Sequence, residues 1–166
     1  MDIDRQHILS VMAAEIRDIM VSAGKTLCTA ESCTSGAIAA ALTSVSGASA
    51  YFQGGLVAYQ DSIKTEKLGV DAATIESCDV VSREVVTQMV TGACRMFGTD
   101  CAIASTGYAD KGNGRIPSGT IWLGWGCADD VHVLCLTKDN GRSENTTAAV
   151  IQALQSFRDY INQGKR

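Results

Sequence analysis

A serine, a tyrosine and a lysine with the makings of a hydrolytic group stand close together in the chain, at Ser49, Tyr59 and Lys64. Gly47, Ala48 and Ala50 put little side-chain bulk beside the Ser49 hydroxyl. A serine attacks a carbonyl carbon only once a base takes its proton, and a desolvated lysine can be that base, directly or through a tyrosine. For Lys64 to act near neutral pH, burial or neighbouring positive charge must lower its pKa from a reference of about 10.4. Loop serines and surface lysines are common, so the spacing alone favours a solvated lysine.

Two further segments combine hydroxyls with glycine. Glu31-Ser32-Cys33-Thr34-Ser35-Gly36 lies between an apolar run and an Ala-rich one, where free N–H groups at a helix start could hold a phosphate. The plainer reading is that Ser32 or Thr34 caps that helix. Ser105-Thr106-Gly107-Tyr108 opens a glycine-rich stretch to Ser118 that holds Pro117, the only proline. Gly107 would let the backbone approach a ligand and Thr106 could donate to it; an ordinary flexible connection fits as well. Arg142 is a candidate partner for a phosphate or carboxylate, or a surface charge.

These residues must be positioned by a chain of 166 residues, a length that fits one domain. Hydrophobic residues make up 46% and charged residues 19%, enough to build a core. A net charge of −4 without a basic cluster excludes general nucleic-acid binding. No apolar run is long enough for a membrane span, and Met1 to Arg5 lacks an export signal, so the expected location is the cytoplasm. Seven cysteines without a CxxC pair, and isolated His7 and His132, read as reduced core thiols; no metal and no cofactor are expected.

Apolar spacing predicts helices over 4–23, 37–42, 61–68, 82–97 and 143–162, with Asp61, Ser82 and Ser143 as caps. Strands are predicted at 26–30, 56–59, 101–104, 120–126 and 131–137, the last two a hairpin across Asp129-Asp130. Residues 44–55 and 69–80 read as irregular, and Trp122 and Trp125 fall on opposite faces of one strand, one of them in the core. The order implies an α/β fold: a single-domain layered sandwich over 1–166, its mixed sheet flanked by helices. In such sheets ligands bind beyond the carboxyl ends of strands, where all three polar segments fall.

Four blocks together resemble the C-terminal domain of CinA, the competence/damage-inducible protein, a family that includes stand-alone nicotinamide mononucleotide deamidases. They are Thr29 to Gly36, then Gly47 to Lys64, then Val81-Ser82, then Thr106 to Thr120, in the family's order over residues 5–160. The resemblance implies a metal-free amidohydrolase that turns nicotinamide mononucleotide and water into nicotinic acid mononucleotide and ammonia. It implies Ser49 as nucleophile, Lys64 and Tyr59 as proton carriers, and Ser32, Thr34, Gly55, Thr106, Gly107 and Arg142 as substrate-binding residues. It also implies a homo-oligomer whose partner is a small-molecule nucleotide, with neither nucleic acid nor membrane. Backbone N–H groups near Gly47–Ser49 or Gly54-Gly55 could form the oxyanion hole.

The chain departs from the family pattern at three places. Ser35 stands where the family commonly has glycine, Tyr108-Ala109-Asp110-Lys111 replaces an Ala-Gly-Pro continuation, and Asn145 stands where an arginine is often found. A non-catalytic nucleotide-binding homologue and an amidase for a related substrate are therefore the alternatives.

Overall fold

A computed structural model describes residues 3–163, and the expected mixed sheet flanked by helices is what it contains. Helices α1 (Ile3–Ala23), α2 (Ala37–Thr43), α3 (Asp61–Leu68), α4 (Ala72–Cys78), α5 (Arg83–Phe97) and α6 (Arg142–Gln163) surround one sheet. Its strands are β1 (Leu27–Glu31), β2 (Phe52–Val57), β3 (Cys101–Tyr108), β4 (Thr120–Cys127) and β5 (Asp130–Leu136), in the order β2-β1-β3-β4-β5. β1 pairs parallel with β2 and β3, while β3–β4 and β4–β5 are antiparallel. No helix among the described residues is long and apolar enough to cross a membrane.

Period-two alternation sorts the core into two layers. Leu27, Ile103, Ile121 and Leu123 face α1, α2 and α6, where Ile16, Met20, Leu42 and Phe157 complete one cluster. Cys28, Ala30, Ala102 and Ala104 face the other way, onto Leu68, Val85, Met89 and Val90 of α3 and α5. The small residues on this second face let α5 lie close to the strands. Trp122 and Trp125 do point to opposite layers, yet both are half-buried and each packs against its own cluster.

Several boundaries differ from the sequence reading. β2 begins at Phe52, so Gly54 and Gly55 lie mid-strand, and Tyr59 follows the strand rather than ending it. Gly55 is opposite Thr29 in the ladder, and a β-carbon there would collide with Thr29 Oγ1, which explains how glycine serves within a strand. Residues 72–78 form α4, whose cap is the Asp71 side chain accepting from Ala73 N–H. Ser82 caps α5 as expected, through the Val85 N–H. Asp61 does not cap α3, and Ser143 lies inside α6.

Candidate active site

β1 and β2 end together beside Ser105 of β3, which runs on to Tyr108, and backbone bonds from Ala58 N–H to Glu31 O and from Ser32 N–H to Ser105 O stitch these ends. Directly beyond them is a cavity of about 390 Å³. Ser32, Tyr59, Lys64, Thr106, Gly107 and Arg142 all line it, so six of the nine residues expected from the sequence converge.

Lys64 is the least expected occupant of such a place, a lysine only 1% exposed. α3 carries it inward, and its Nζ donates to the Tyr59 carbonyl at 3.2 Å and to Asp61 Oδ1 at 3.3 Å. Asp61 is the first residue of α3, one past its N-cap Gln60, so its carboxylate meets the lysine instead of capping the helix. Arg142, the first residue of α6, reaches the Tyr59 hydroxyl at 3.4 Å. Thr106 is fully buried and donates to the Val80 carbonyl at 2.9 Å, which fixes its side chain against the α4–α5 connection. Lys111 lines the same cavity from the glycine-rich loop and adds a second cation to the mouth that Arg142 borders.

Three expected residues are placed elsewhere. Thr34 does not reach the cavity: its hydroxyl donates to Glu31 Oε2 and lies 2.7 Å from Ser105 Oγ, a buried network beneath the floor. Gly55 is mid-strand in β2, so neither it nor Gly54 offers an oxyanion hole at the cavity. Ser49 is exposed on a short 3₁₀ turn, Ala48–Ala50, just before β2. Tyr59 and Lys64 come just after β2, and six extended residues separate the strand's two ends by roughly 17 Å at ~3.3 Å each. The Ser49 hydroxyl and the Lys64 amine therefore do not meet within one chain.

Sequence reasoning overlooked Glu31. The N-terminus of α2 offers no anion site, because the buried Glu31 carboxylate occupies it: Oε2 accepts from Gly36 and Ile38 N–H, and Oε1 from Ala39 N–H. Neither Ser32 nor Thr34 caps this helix; its N-cap is Gly36 without a side-chain bond of its own. The available signal was a carboxylate at the end of an apolar strand, which burial obliges to find several donors.

The sequence departures now have physical content. Ser35 takes a left-handed conformation, φ 54°, the reason glycine suits that position. Asn145 is buried away from the cavity and knots two loops together: it donates to the Ala109 carbonyl and Asp139 and accepts from Asn140 N–H. Tyr108 lines the cavity and donates to Asp79 Oδ1, while Asn113 donates to Asp79 Oδ2 at 2.6 Å. Asp79 thus ties the glycine-rich loop to the segment before α5. Cys33, also at the cavity, is a protonated thiol: burial pushes it up to about 12 against the opposing Ser105 hydrogen bond. Among the described residues no group of three or more His, Cys, Asp or Glu side chains is arranged to hold a metal ion.

Comparison with known proteins matches a family model, CinA C-terminal domain, over residues 9–161. A relative from Enterobacter agglomerans named nicotinamide-nucleotide amidohydrolase PncC is 36% identical, covering 95% of this chain and 96% of its own. A CinA-like protein from Mycolicibacterium vanbaalenii is 44% identical over 77% of this chain, and there the aligned part spans only 32% of the relative's length. The chain thus spans about a third of the length of the CinA-like relatives it matches. Among solved structures, the competence/damage inducible protein CihA from Agrobacterium tumefaciens superposes with a TM-score of 0.87 at 33% identity, covering 93% of this chain and 96% of that one.

Proposed function

Because the chain belongs to the CinA C-terminal domain family, we propose that it is an amidohydrolase releasing ammonia from nicotinamide mononucleotide, leaving nicotinic acid mononucleotide. The observation that carries this reading is the burial of Lys64 in one cavity with Tyr59, Thr106 and Arg142. The name borne by the full-length Enterobacter agglomerans relative supports the same substrate. Arg142 and Lys111 supply positive charge for the 5′-phosphate at the cavity mouth, and Ser32 and Thr106 border the space for the sugar and ring.

The nucleophile is Ser49 of a second copy. Its exposed hydroxyl, on a turn of small residues, is shaped to enter another molecule's cavity, since it does not face its own. The uncharged form of Lys64 takes its proton, with Tyr59 as relay; the serine oxygen bonds to the carboxamide carbon, and the C–N bond breaks as Lys64 returns the proton to the departing nitrogen, which leaves as ammonia. Water then cleaves the acyl-serine. The working unit in this reading is a homo-oligomer.

The test is ammonia release by wild type, Ser49→Ala, Lys64→Ala and the two variants co-expressed. Each single variant is expected inactive. The mixture regains about a quarter of wild-type turnover, because a mixed dimer rebuilds one unmutated site of its two and half of randomly paired dimers are mixed. An active Ser49→Ala refutes the nucleophile, and an inactive mixture refutes its delivery by a second copy. The placement of Ser49 away from the cavity also favours a second reading, a nucleotide-binding protein without hydrolysis; binding of the mononucleotide by a wild type that releases no ammonia would establish it.

A further inference from the structure

We propose that Cys101 and Cys127 are a dithiol that oxidises to a disulfide, a modification site independent of the lysine cavity. The two stand directly opposite each other in the antiparallel β3–β4 ladder, and their sulfurs are 3.4 Å apart. Directly opposed residues in such a ladder have Cα atoms about 4.5–5.5 Å apart, inside the span of about 4.4–6.8 Å that a disulfide bridges. Closure therefore requires side-chain rotation and no displacement of strands. No other cysteine pair makes a sulfur–sulfur hydrogen-bond contact among the described residues; the Cys28 and Cys94 thiols instead donate to the Cys101 and Asp100 carbonyls.

The pair is reachable by a small oxidant. Cys101 lines a second cavity, of about 470 Å³, between the C-terminal turns of α1 and α6, with Lys25, His132 and Tyr160 in its wall. Cys127 is half-buried, and the Tyr160 hydroxyl oxygen lies 3.5 Å from its sulfur. Cys101 opens β3, whose opposite end supplies Thr106 and Gly107 to the Lys64 cavity, so the two sites occupy opposite ends of the sheet. Burial and the neighbouring Cys127 hold the Cys101 thiol well above its ordinary range, so the more exposed Cys127 meets the oxidant first.

With hydrogen peroxide as oxidant, the Cys127 sulfur attacks and the O–O bond breaks, giving a sulfenic acid and one water. The Cys101 sulfur then attacks it, the S–S bond forms, and the hydroxyl leaves with the Cys101 proton as a second water. Two thiols lose two electrons and one peroxide gains them; dithiothreitol reverses the change through thiol–disulfide exchange. The bridge encloses 101–127, the segment that carries the glycine-rich loop, and so staples the antiparallel half of the sheet.

The experiment exposes the full chain to hydrogen peroxide, blocks free thiols with N-ethylmaleimide, and reads intact mass and tryptic peptides. The expected result is the loss of two hydrogens and a cross-linked pair of peptides, both reversed by dithiothreitol, with Tm raised by a few degrees in the oxidised protein. The tryptic peptide holding Cys127 also holds Cys135, so Cys135→Ser must keep the link and Cys127→Ser must lose it. Should Cys127→Ser fail to fold, Cys101→Ser takes its place. Oxygen addition to the cysteines without a linked peptide, or a link that survives Cys127→Ser, overturns the proposal.

Discussion

The Glu31 carboxylate and the Ala39 backbone N–H are 2.8 Å apart, a hydrogen bond from the end of β1 into the first turn of α2. Gly36 and Ile38 N–H share the same carboxylate, so one buried side chain satisfies three donors that a helix start would leave open. Replacing Glu31 by Ala removes the acceptor for all three donors, of which the Ile38 N–H is fully buried. Hydrogen bonds to a charged group contribute about 1.5–3 kcal/mol, and a loss of about 3 kcal/mol is expected for Glu31→Ala in urea unfolding. Glu31→Gln, which keeps one acceptor oxygen, falls between that variant and wild type; a Gln variant as stable as wild type would show that charge and bidentate acceptance are irrelevant.

Ser35 precedes that helix with φ 54° and its side chain exposed. A β-carbon in the left-handed region costs roughly 1 kcal/mol that glycine does not incur. Ser35→Gly is accordingly expected to stabilise the fold by about 0.5–1 kcal/mol without altering turnover, while Ser35→Ala gives no gain. A destabilised glycine variant would mean that the serine hydroxyl makes an interaction of its own.

Gly55 and Thr29 form a matched pair across β1 and β2. Gly55→Ala drives its methyl into Thr29 Oγ1, and overpacking of this kind costs about 1–3 kcal/mol. Thr29 Oγ1 is also buried without a hydrogen-bond partner among the described residues, so Thr29→Ala forfeits no hydrogen bond. The double variant should recover part of the Gly55→Ala loss. Strict additivity in a double-mutant cycle would disprove the contact.

The same pair shows where sequence reasoning stopped. α5 and β3 were legible because Val85, Val86, Met89 and Val90 repeat at helical spacing and Cys101 to Ala104 are continuously apolar. β2 was placed too late because Gly54-Gly55 reads locally as a turn; only the parallel neighbour β1 reveals why a strand needs glycine there. α4 escaped notice because its residues lack an apolar stripe and none is fully buried. At the site, Ser32, Thr106 and Lys64 were legible together because Ser32 follows β1, Thr106 lies near the carboxyl end of β3, and Lys64 sits in the helix after β2. Ser49 was grouped with Lys64 by nearness in sequence, and the intervening strand carries the two to opposite ends.

Asp79 holds a second uncommon backbone conformation, φ 77°, and its carboxylate gathers the Val81 N–H, the Tyr108 hydroxyl and the Asn113 amide. Burial, and then the Asp79 carboxylate, keeps the Tyr108 phenol above its usual range, so the tyrosine stays a donor at working pH. Backbone strain of about 1–3 kcal/mol at a non-glycine residue persists only where surrounding contacts hold it. Asp79→Ala is expected to free the loop that presents Gly107 and Lys111, raising KM for the mononucleotide several-fold while kcat changes little. Equal falls in kcat and kcat/KM would instead assign Asp79 a part in the chemical step.

Cys33 borders the Lys64 cavity and is the natural rival to the proposed serine nucleophile, so its state decides between them. Attack requires a thiolate, and with the thiol pushed up to about 12 by burial the thiolate fraction at pH 8 is on the order of 10⁻⁴. Alkylation of Cys33 by iodoacetamide should be slow at that pH, slower than at the half-buried Cys78, and should quicken about tenfold per pH unit as the thiolate grows. Cys33→Ser should release ammonia within about threefold of wild type, because a hydroxyl fills nearly the same space and no covalent step passes through the sulfur. Rapid alkylation together with an inactive Cys33→Ser would transfer the nucleophile from Ser49 to this thiol and remove the need for a second copy.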